Sequence, residues 1–411
     1  MTKASKAKLP YVSLFSGAGG LDLGFEQGGW SCAYASDLEP IAVRTLSGNK
    51  GLNINGVKAF NEAYIEPADV RDLKGREILA KAGLRKGDAL ALVGGPPCQS
   101  WSSAGHQRGF EDPRGQLVRE YVRLASELGV RWLLFENVRG LLTARGPDGE
   151  PGSALNSVRR ALLEVGFQSE VNLLNAADYG VPQRRVRLFV LGFRRGDRPA
   201  FPAASHARDV GLFDSSLRPW VSLKEALKTV GKLHESEIIR PARTLEKQLA
   251  RVPNGSGVKS PGKAESTRPG GHWGYKQGAF VADLSMPART VTASGQQDWI
   301  RDARLGLRRL CPRECAAIQT FPPEWDIQGS RAQQYRQIGN AVPVRLATFV
   351  AQSLANHVSS ALLYSAPRVR VNDLLPLPDR LTSAIEYTRK DEIRNGESRR
   401  AAPLKRLKRD R

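Results

Sequence analysis

The chain has 411 residues, of which 41% are hydrophobic and 25% charged. This composition is typical of a globular protein, and the length allows two or three domains. No apolar run approaches the roughly 20 residues of a membrane span. We therefore expect no membrane contact, and no secretory signal either, because no apolar stretch follows the N-terminal lysines. The four cysteines and five histidines lack metal-ligand spacing, which predicts a reduced, cytoplasmic protein without a metal.

The formal net charge of +21 indicates a polyanionic partner. Residues 389–411 hold ten basic and four acidic side chains, a surplus of six, so the remainder still carries +15. Lys and Arg contacts to phosphates supply affinity that is independent of base sequence, which makes nucleic acid the favoured partner. An incidental excess of surface arginine is the alternative at this point.

The first half of the chain alternates predicted strands with predicted helices. Residues 11–15 form a short buried strand, and a glycine-rich turn leads from it into a helix that begins near Leu21. Further predicted strands end near Asp37, Gly95, Val138 and Gly192. Such alternation predicts an α/β fold, with a doubly wound, mostly parallel sheet covered by helices on both faces.

The texture of the sequence changes after about residue 195. Residues 196–302 are rich in Pro, Gly, Ser and Arg, which predicts a loop-rich second unit, and a long helix is predicted at 342–363. We predict four parts: a first domain at 1–195, a smaller second domain at 196–334, a returning helix at 335–365 and a basic, weakly ordered tail at 366–411.

The first two strands end in residues that suit an adenosine-type ligand. In an open parallel sheet, ligands bind beyond the carboxyl ends of the strands. The turn after the first strand does not complete GxGxxG, since Asp22 stands at its last position, and this disfavours a dinucleotide. Asp37 follows Gly17 by twenty residues, the spacing of a carboxylate that accepts ribose hydroxyls. A helix N-cap is an equally good interpretation of Asp37.

Later strand ends carry candidates for catalysis. Cys98 follows two prolines on a predicted turn, which favours an aimed nucleophile over the common buried cysteine. Glu136, at another strand end, suits an acid kept protonated by burial, or simply a carboxylate that caps a turn. Gln183, Arg185 and Arg187 alternate along a strand and share one face, which indicates either a ligand-binding face or a solvated edge.

Seven segments, in this order and at these separations, resemble the cytosine-5 DNA methyltransferases across roughly Tyr11 to Leu363. They are SLFSGAGGLDLGF, GGPPCQSWS, DPRGQL, FENV, PQRRVR, ECAAIQTFP and YRQIGNAVP. The resemblance implies a Rossmann-like methyltransferase fold whose first domain binds S-adenosylmethionine and whose second domain recognises the target. It also implies the modification enzyme of a bacterial restriction system, acting on double-stranded DNA as a monomer, with a cognate endonuclease encoded nearby and no stable complex with it.

The resemblance assigns the reacting groups. Cys98 would bond to carbon 6 of a cytosine, Glu136 would protonate ring nitrogen 3, and Arg187 with Arg185 would orient the base. The cytosine must first leave the base stack. We therefore expect an active enzyme that associates with the nucleoid through DNA.

The resemblance also implies two sets of binding residues. The cofactor residues would be Phe15, Gly17, Gly19, Asp37, Leu38, Asp69, Val70, Pro97, Leu117, Asn340 and Val342. DNA contacts are expected from Gln99, Ser102, Gln183, His272, Trp273, Tyr275 and Lys276, the last four in a candidate base-reading loop at 270–278.

Three other functions remain open on sequence grounds. The same chemistry on transfer RNA is the nearest alternative, and the long loop-rich insertion favours DNA over it. A catalytically silent DNA-binding relative is disfavoured by the intact Cys98, Glu136 and Arg187. A nucleotide-dependent oxidoreductase is disfavoured by the broken GxGxxG and the basic charge.

Overall fold

The computed structural model describes residues 9–97, 113–194, 198–210, 216–259, 261, 278–363 and 373–401. The strands within these ranges are β1 Leu9–Leu14, β2 Trp30–Asp37, β3 Asn53–Ile54, β4 Val57–Lys58, β5 Tyr64–Pro67, β6 Ala91–Gly94, β7 Trp132–Val138, β8 Gln168–Asn175, β9 Val186–Phe193, β10 His206–Ala207, β11 Arg218–Pro219, β12 Ser256–Gly257, β13 Phe280–Val281, β14 Trp299–Asp302 and β15 Gly306–Arg309.

The α-helices of the same ranges connect and cover these strands. They are α1 Gly20–Gln27, α2 Pro40–Gly48, α3 Gly75–Ala82, α4 Pro113–Leu128, α5 Ser153–Glu164, α6 Leu223–Lys228, α7 Arg243–Ala250, α8 Pro312–Ile318, α9 Arg331–Asn340, α10 Val344–Leu363 and α11 Asp379–Ala401. None of these described helices is both long enough and apolar enough to cross a membrane.

The central sheet has seven strands in the order β5-β2-β1-β6-β7-β9-β8. Neighbours from β5 to β7 are parallel, and β9 is antiparallel to both β7 and β8. The strand order reverses between β1 and β6, the kind of switch point where open α/β sheets bind ligands. The predicted doubly wound, mostly parallel sheet is confirmed, with one antiparallel strand that the sequence did not reveal.

Each face of the sheet has its own hydrophobic core. Residues of α1, α9 and α10, such as Leu23, Ile338 and Val350, fill one core. Residues of α3, α4 and α5, such as Ile78, Leu124 and Leu155, fill the other. The sheet is therefore buried on both sides, and its carboxyl edge is left for ligands.

Helix α10 returns to the first domain and lies against α1. Gly20, Gly24 and Gly28 recur every four residues and so share one face of α1. A Cβ on Gly24 would lie 2.7 Å from the Val344 carbonyl oxygen, and one on Gly28 would lie 2.5 Å from the Ala351 Cβ. The helices approach this closely because the face has no side chains.

The loop-rich segment contains a four-stranded sheet in the order β12-β13-β14-β15. A small cluster of Leu249, Val252, Val281 and Trp299 supports this sheet. The chain after β15 packs elsewhere, because Cys315 and Phe321 belong to the first domain's core. A domain boundary at residue 334 stays a prediction, and the packing favours a boundary nearer residue 310.

The C-terminal region differs from the expected weakly ordered tail. Residues 379–401 form helix α11, and Leu381 on this helix is only 2% exposed. Ala384 and Ile385 pack against the same core as α4 and α5. The high charge of this region pointed to disorder, but three apolar side chains on one face are enough to dock the helix.

We expect Gly24→Ala to lower the free energy of unfolding by about 1–3 kcal/mol, because the new methyl group forces α10 away from α1. Gly48→Ala is the matched control, since Gly48 ends helix α2 and a Cβ there would meet no atom within 4 Å. Urea unfolding of both variants checks the prediction. Equal stability of the two variants would mean that the close packing does not constrain α1.

Candidate active site

The carboxyl ends of five neighbouring strands place the predicted site residues along one edge of the sheet. Phe15 and Gly17 follow β1, Asp37 ends β2, and Asp69 follows β5. Pro97 follows β6, and Glu136 lies near the end of β7. Because these strands are parallel and adjacent, residues that are far apart in sequence meet at this edge.

The glycine turn and Asp37 form one hydrogen-bonded unit. The Gly17 N–H donates to Asp37 Oδ2 at 2.8 Å, and the Glu39 N–H donates to Oδ1 at 2.9 Å. Burial raises the pKa of Asp37, and these backbone hydrogen bonds oppose the rise. The helix that follows takes its N-cap from Glu39 instead. Each carboxylate oxygen keeps capacity to accept a ligand hydroxyl.

The space beside this turn suits a nucleoside. A Cβ on Gly17 would meet no atom within 4 Å, so the cleft in front of the turn is open. Leu38 is 60% exposed next to Asp37 and presents an apolar surface. Phe15 takes a left-handed backbone conformation with φ 57°, a costly arrangement that occurs often at functional sites. An acceptor pair beside apolar surface fits the ribose and adenine of S-adenosylmethionine.

The other predicted cofactor residues differ in accessibility. The Asp69 carboxylate pairs with the Arg71 guanidinium, which lowers the pKa of Asp69. Val70 and Val342 are buried, while Leu117 is half-buried and Asn340 is exposed. Gly19, with φ 80°, has Leu46 and Trp325 against its α-carbon and so supports the turn. Direct cofactor contact stays a prediction for all of them.

Glu136 and Arg187 form a shielded acid–base pair. The Arg187 Nε lies 3.3 Å from Glu136 Oε1, and neither side chain is more than 14% exposed. Burial raises the pKa of Glu136, while the positive charges of Arg187 and Arg185 oppose this rise. A carboxyl group of this kind can hold a proton at a higher pH than an exposed glutamate can.

The segment that leads to Cys98 rests on Glu136 and Asn137. The Asn137 Nδ2 donates to the Pro96 carbonyl oxygen at 3.0 Å. A Cβ on Gly95 would lie 2.9 Å from Glu136 Oε2, so only glycine leaves the carboxylate in place. Sequence reasoning missed Asn137, although its place beside Glu136 in FENV was a signal. Cys98, Gln99 and Ser102 lie outside the described residues.

Arg185 has partners other than the expected base. Its side chain is 1% exposed, and Nη1 donates to the Val291 carbonyl oxygen at 2.9 Å. Nη2 donates to the carbonyl oxygens of Gly339 and Ala341 at 2.8 and 2.9 Å. Arg185 is therefore a positioning residue that joins three segments, and the expected direct contact with the base is not seen.

The expected DNA contact of Gln183 is wrong in this arrangement. Gln183 is fully buried, and its Nε2 donates to Gln319 Oε1 at 2.8 Å. Its own Oε1 accepts the Val291 N–H at 2.9 Å. Alternation along the strand identified a shared polar face, but protein covers that face. The other predicted contacts, His272, Trp273, Tyr275 and Lys276, lie outside the described residues.

A doubly wound sheet with an open glycine turn, a ribose-type carboxylate and no phosphate-binding fingerprint defines the class of S-adenosylmethionine-dependent methyltransferases. The family of C-5 cytosine-specific DNA methylases matches residues 9–356. The chain belongs to this family: it is a DNA (cytosine-5-)-methyltransferase, and S-adenosylmethionine is its methyl donor.

Relatives and solved structures agree with this assignment. The chain is 30% identical to the type II methyltransferase M.FnuDI of Fusobacterium nucleatum and 32% identical to M.SacI of Streptomyces achromogenes, in each case over 84% of this chain and 93% of the relative. A putative prophage DNA modification methyltransferase from E. coli has a similar fold, with a TM-score of 0.62 and 20% identity over 86% of this chain and all of that one. The S. pombe Dnmt2 methyltransferase has a TM-score of 0.58 and 16% identity over 85% of this chain and 99% of its own.

Proposed function

We propose that this enzyme methylates carbon 5 of a flipped cytosine within one specific duplex DNA sequence, as the modification enzyme of a bacterial restriction system. The observation that carries the proposal is the Glu136–Arg187 pair against the segment that leads to Cys98, on the same edge as the Asp37 cleft. The type II relatives support the restriction-modification role.

The first chemical step belongs to Cys98 and Glu136. The Cys98 thiolate bonds to carbon 6 of cytosine, and the electron pair of the 5,6 double bond moves toward ring nitrogen 3. Glu136 delivers a proton to that nitrogen and prevents negative charge from accumulating there. Carbon 5 becomes nucleophilic as a result. Bound S-adenosylmethionine supplies the methyl group, and loss of the carbon 5 proton then expels the Cys98 thiolate.

Arg187 holds Glu136 in position for this proton transfer. Arg187 lies opposite Val138 in the β7–β9 register, so both members of the pair stand on paired strands of the sheet. Rigid strands position a proton donor better than loops do. The guanidinium also faces the cleft, where it can bond the exocyclic oxygen of the base.

Base flipping follows from the depth of these groups. Glu136 is only 9% exposed, so a cytosine within a stacked duplex does not reach it. Enzymes that modify bases solve this problem by rotating the nucleotide into the active site. We assign the vacated stack to loops of the second domain.

Target choice is assigned to residues 196–302. Every segment that carries the family resemblance lies outside this span, and the small cluster around Trp299 gives the span its own support. Base-edge contacts discriminate by roughly 1–3 kcal/mol each, whereas phosphate contacts only position the duplex. The rest of the basic surface is expected to supply affinity without selectivity.

Cys98 is expected to form a covalent adduct with a duplex that carries 5-fluorocytosine at the target. Fluorine blocks loss from carbon 5, so the adduct accumulates and survives denaturing electrophoresis when S-adenosylmethionine is present. Cys98→Ser should give no such band while it retains cofactor binding. A band of equal intensity from Cys98→Ser would contradict the assigned nucleophile.

Glu136→Gln is expected to lower the methyl-transfer rate at least about a hundredfold, the usual loss when a positioned proton donor is removed. Because burial raises the pKa of Glu136, the wild-type rate should fall as pH rises through that pKa. The residual rate of Glu136→Gln should lack this fall. Single-turnover rates across pH, with cofactor affinity as control, test both statements, and an unchanged profile in the variant would rule out the proton-donor role.

Replacing His272, Trp273, Tyr275 and Lys276 together is expected to relax or abolish target choice and leave S-adenosylmethionine affinity intact. Replacing the exposed Asn53, Asn55, Glu62 and Lys58, which lie in the first domain, is the control and should change neither property. Mapping methylated cytosines after expression of each variant provides the measurement. Full methylation of an unaltered target by the loop variant would remove this loop from recognition.

A further inference from the structure

Helix α11 lies beyond residue 356, where the family match ends, and the family therefore gives it no role. Three kinds of contact hold its first half against α5 and the loop before it. Leu381 is buried in the core under α5, Ile385 lies against Gly152, and Arg389 Nε lies 3.3 Å from Glu150 Oε2. The helix is fixed at one side of the first domain.

The contacts determine the direction of the helix. The Arg159 guanidinium, halfway along α5, donates to the Leu375 carbonyl oxygen just before α11. Ile385 contacts Gly152, the residue that precedes α5, and Arg389 reaches Glu150, two residues earlier. Contacts that advance along α11 therefore retreat along α5, and the two helices run in opposite directions.

The direction of α5 follows from the sheet. Helix α5 leads from the carboxyl end of β7 to the start of β8, which is parallel to β7 because both are antiparallel to β9. Its N-terminus is therefore at the carboxyl edge, the edge of Glu136 and Asp37. Helix α11 runs toward that edge, and residues 390–401 extend about 18 Å past Glu150 at 1.5 Å per residue.

This extension is basic. Residues 390–401 contain Lys390, Arg394, Arg399 and Arg400, and five more basic residues follow in 402–411 against one acidic residue. A docked helix that ends in a cluster of positive charge at the active-site edge has the placement and the sign to contact a phosphate backbone.

We propose that α11 is a docked arm that binds the phosphate backbone of duplex DNA outside the recognised sequence. This inference rests on the proposed function for the identity of the polyanion. It adds a DNA-binding surface outside the part of the chain that the family covers, and it assigns a purpose to the docking contacts. They convert a basic segment from a flexible tether into a surface held at a set distance from the active site.

The charge test replaces Lys390, Arg394, Arg399 and Arg400 with Gln in the full chain. The dissociation constant for a 30-base-pair duplex of unrelated sequence should rise at least about fivefold at low salt, and the slope of log affinity against log salt should fall by about two to three. The control replaces Lys74, Arg76, Arg85 and Lys86, which are exposed near the opposite edge, with Gln. The control should change the dissociation constant less than twofold. Wild-type affinity in the test variant, or an equal loss in the control, would overturn the proposal.

The docking test separates a positioned arm from a free polycation. Leu381→Asp with Ile385→Asp removes the buried contacts, and Thr382→Asp with Tyr387→Asp adds the same charge at exposed positions of the helix. Only the first pair should reproduce most of the affinity loss, with S-adenosylmethionine binding as the check that the first domain is folded. Wild-type affinity after undocking would overturn the positioned arm. These are binding measurements, so they fail independently of methyl transfer, which alone tests the proposed function.

Discussion

The buried guanidinium of Arg185 is the interaction on which the arrangement of this active site depends. A buried charge is costly unless hydrogen-bond partners replace water. Burial holds the pKa of Arg185 well below its usual range, while the nearby Glu136 carboxylate favours the charged form. Carbonyl oxygens of Val291, Gly339 and Ala341 supply the partners. Segments that are more than 100 residues apart must meet there for the charge to be satisfied.

One consequence is that the second domain is attached by buried contacts rather than by a flexible linker. The Arg184 N–H donates to the Ala288 carbonyl oxygen at 2.8 Å, and the Ala288 N–H donates to that of Pro182 at 2.9 Å. Gly339 packs so closely on Thr292 that a Cβ has no room. The chain that returns from the loop-rich region, the end of α9 and the start of β9 therefore form a single unit beside Glu136.

The sequence predicted the sheet and its loaded edge because both are local properties. Apolar strand patterns and the spacing from Gly17 to Asp37 are visible along the chain, and the FENV motif marks Glu136. The surroundings of Gln183 and Arg185 were not predictable in the same way. Alternation shows that side chains share a face, but the residues that cover this face, Val291 and Gln319, come from distant segments. An extra antiparallel strand at the sheet's edge escaped prediction for the same reason.

Helix α11 shows the opposite case, in which composition outweighed a pattern that was present. Leu381 and Ile385 stand four residues apart on one helical face, yet the surrounding charge predicted disorder. The close packing of α1 on α10 is a further example. The four-residue glycine repeat at Gly20, Gly24 and Gly28 was visible, but only the structure shows which helix fills that face.

Bisulfite sequencing of plasmid DNA and total RNA from cells that express this chain tests the central claim most directly. The account predicts one cytosine protected at every copy of a short duplex sequence, with no protection in cells that express Cys98→Ser. Unprotected plasmid DNA, or protection confined to transfer RNA, would contradict it.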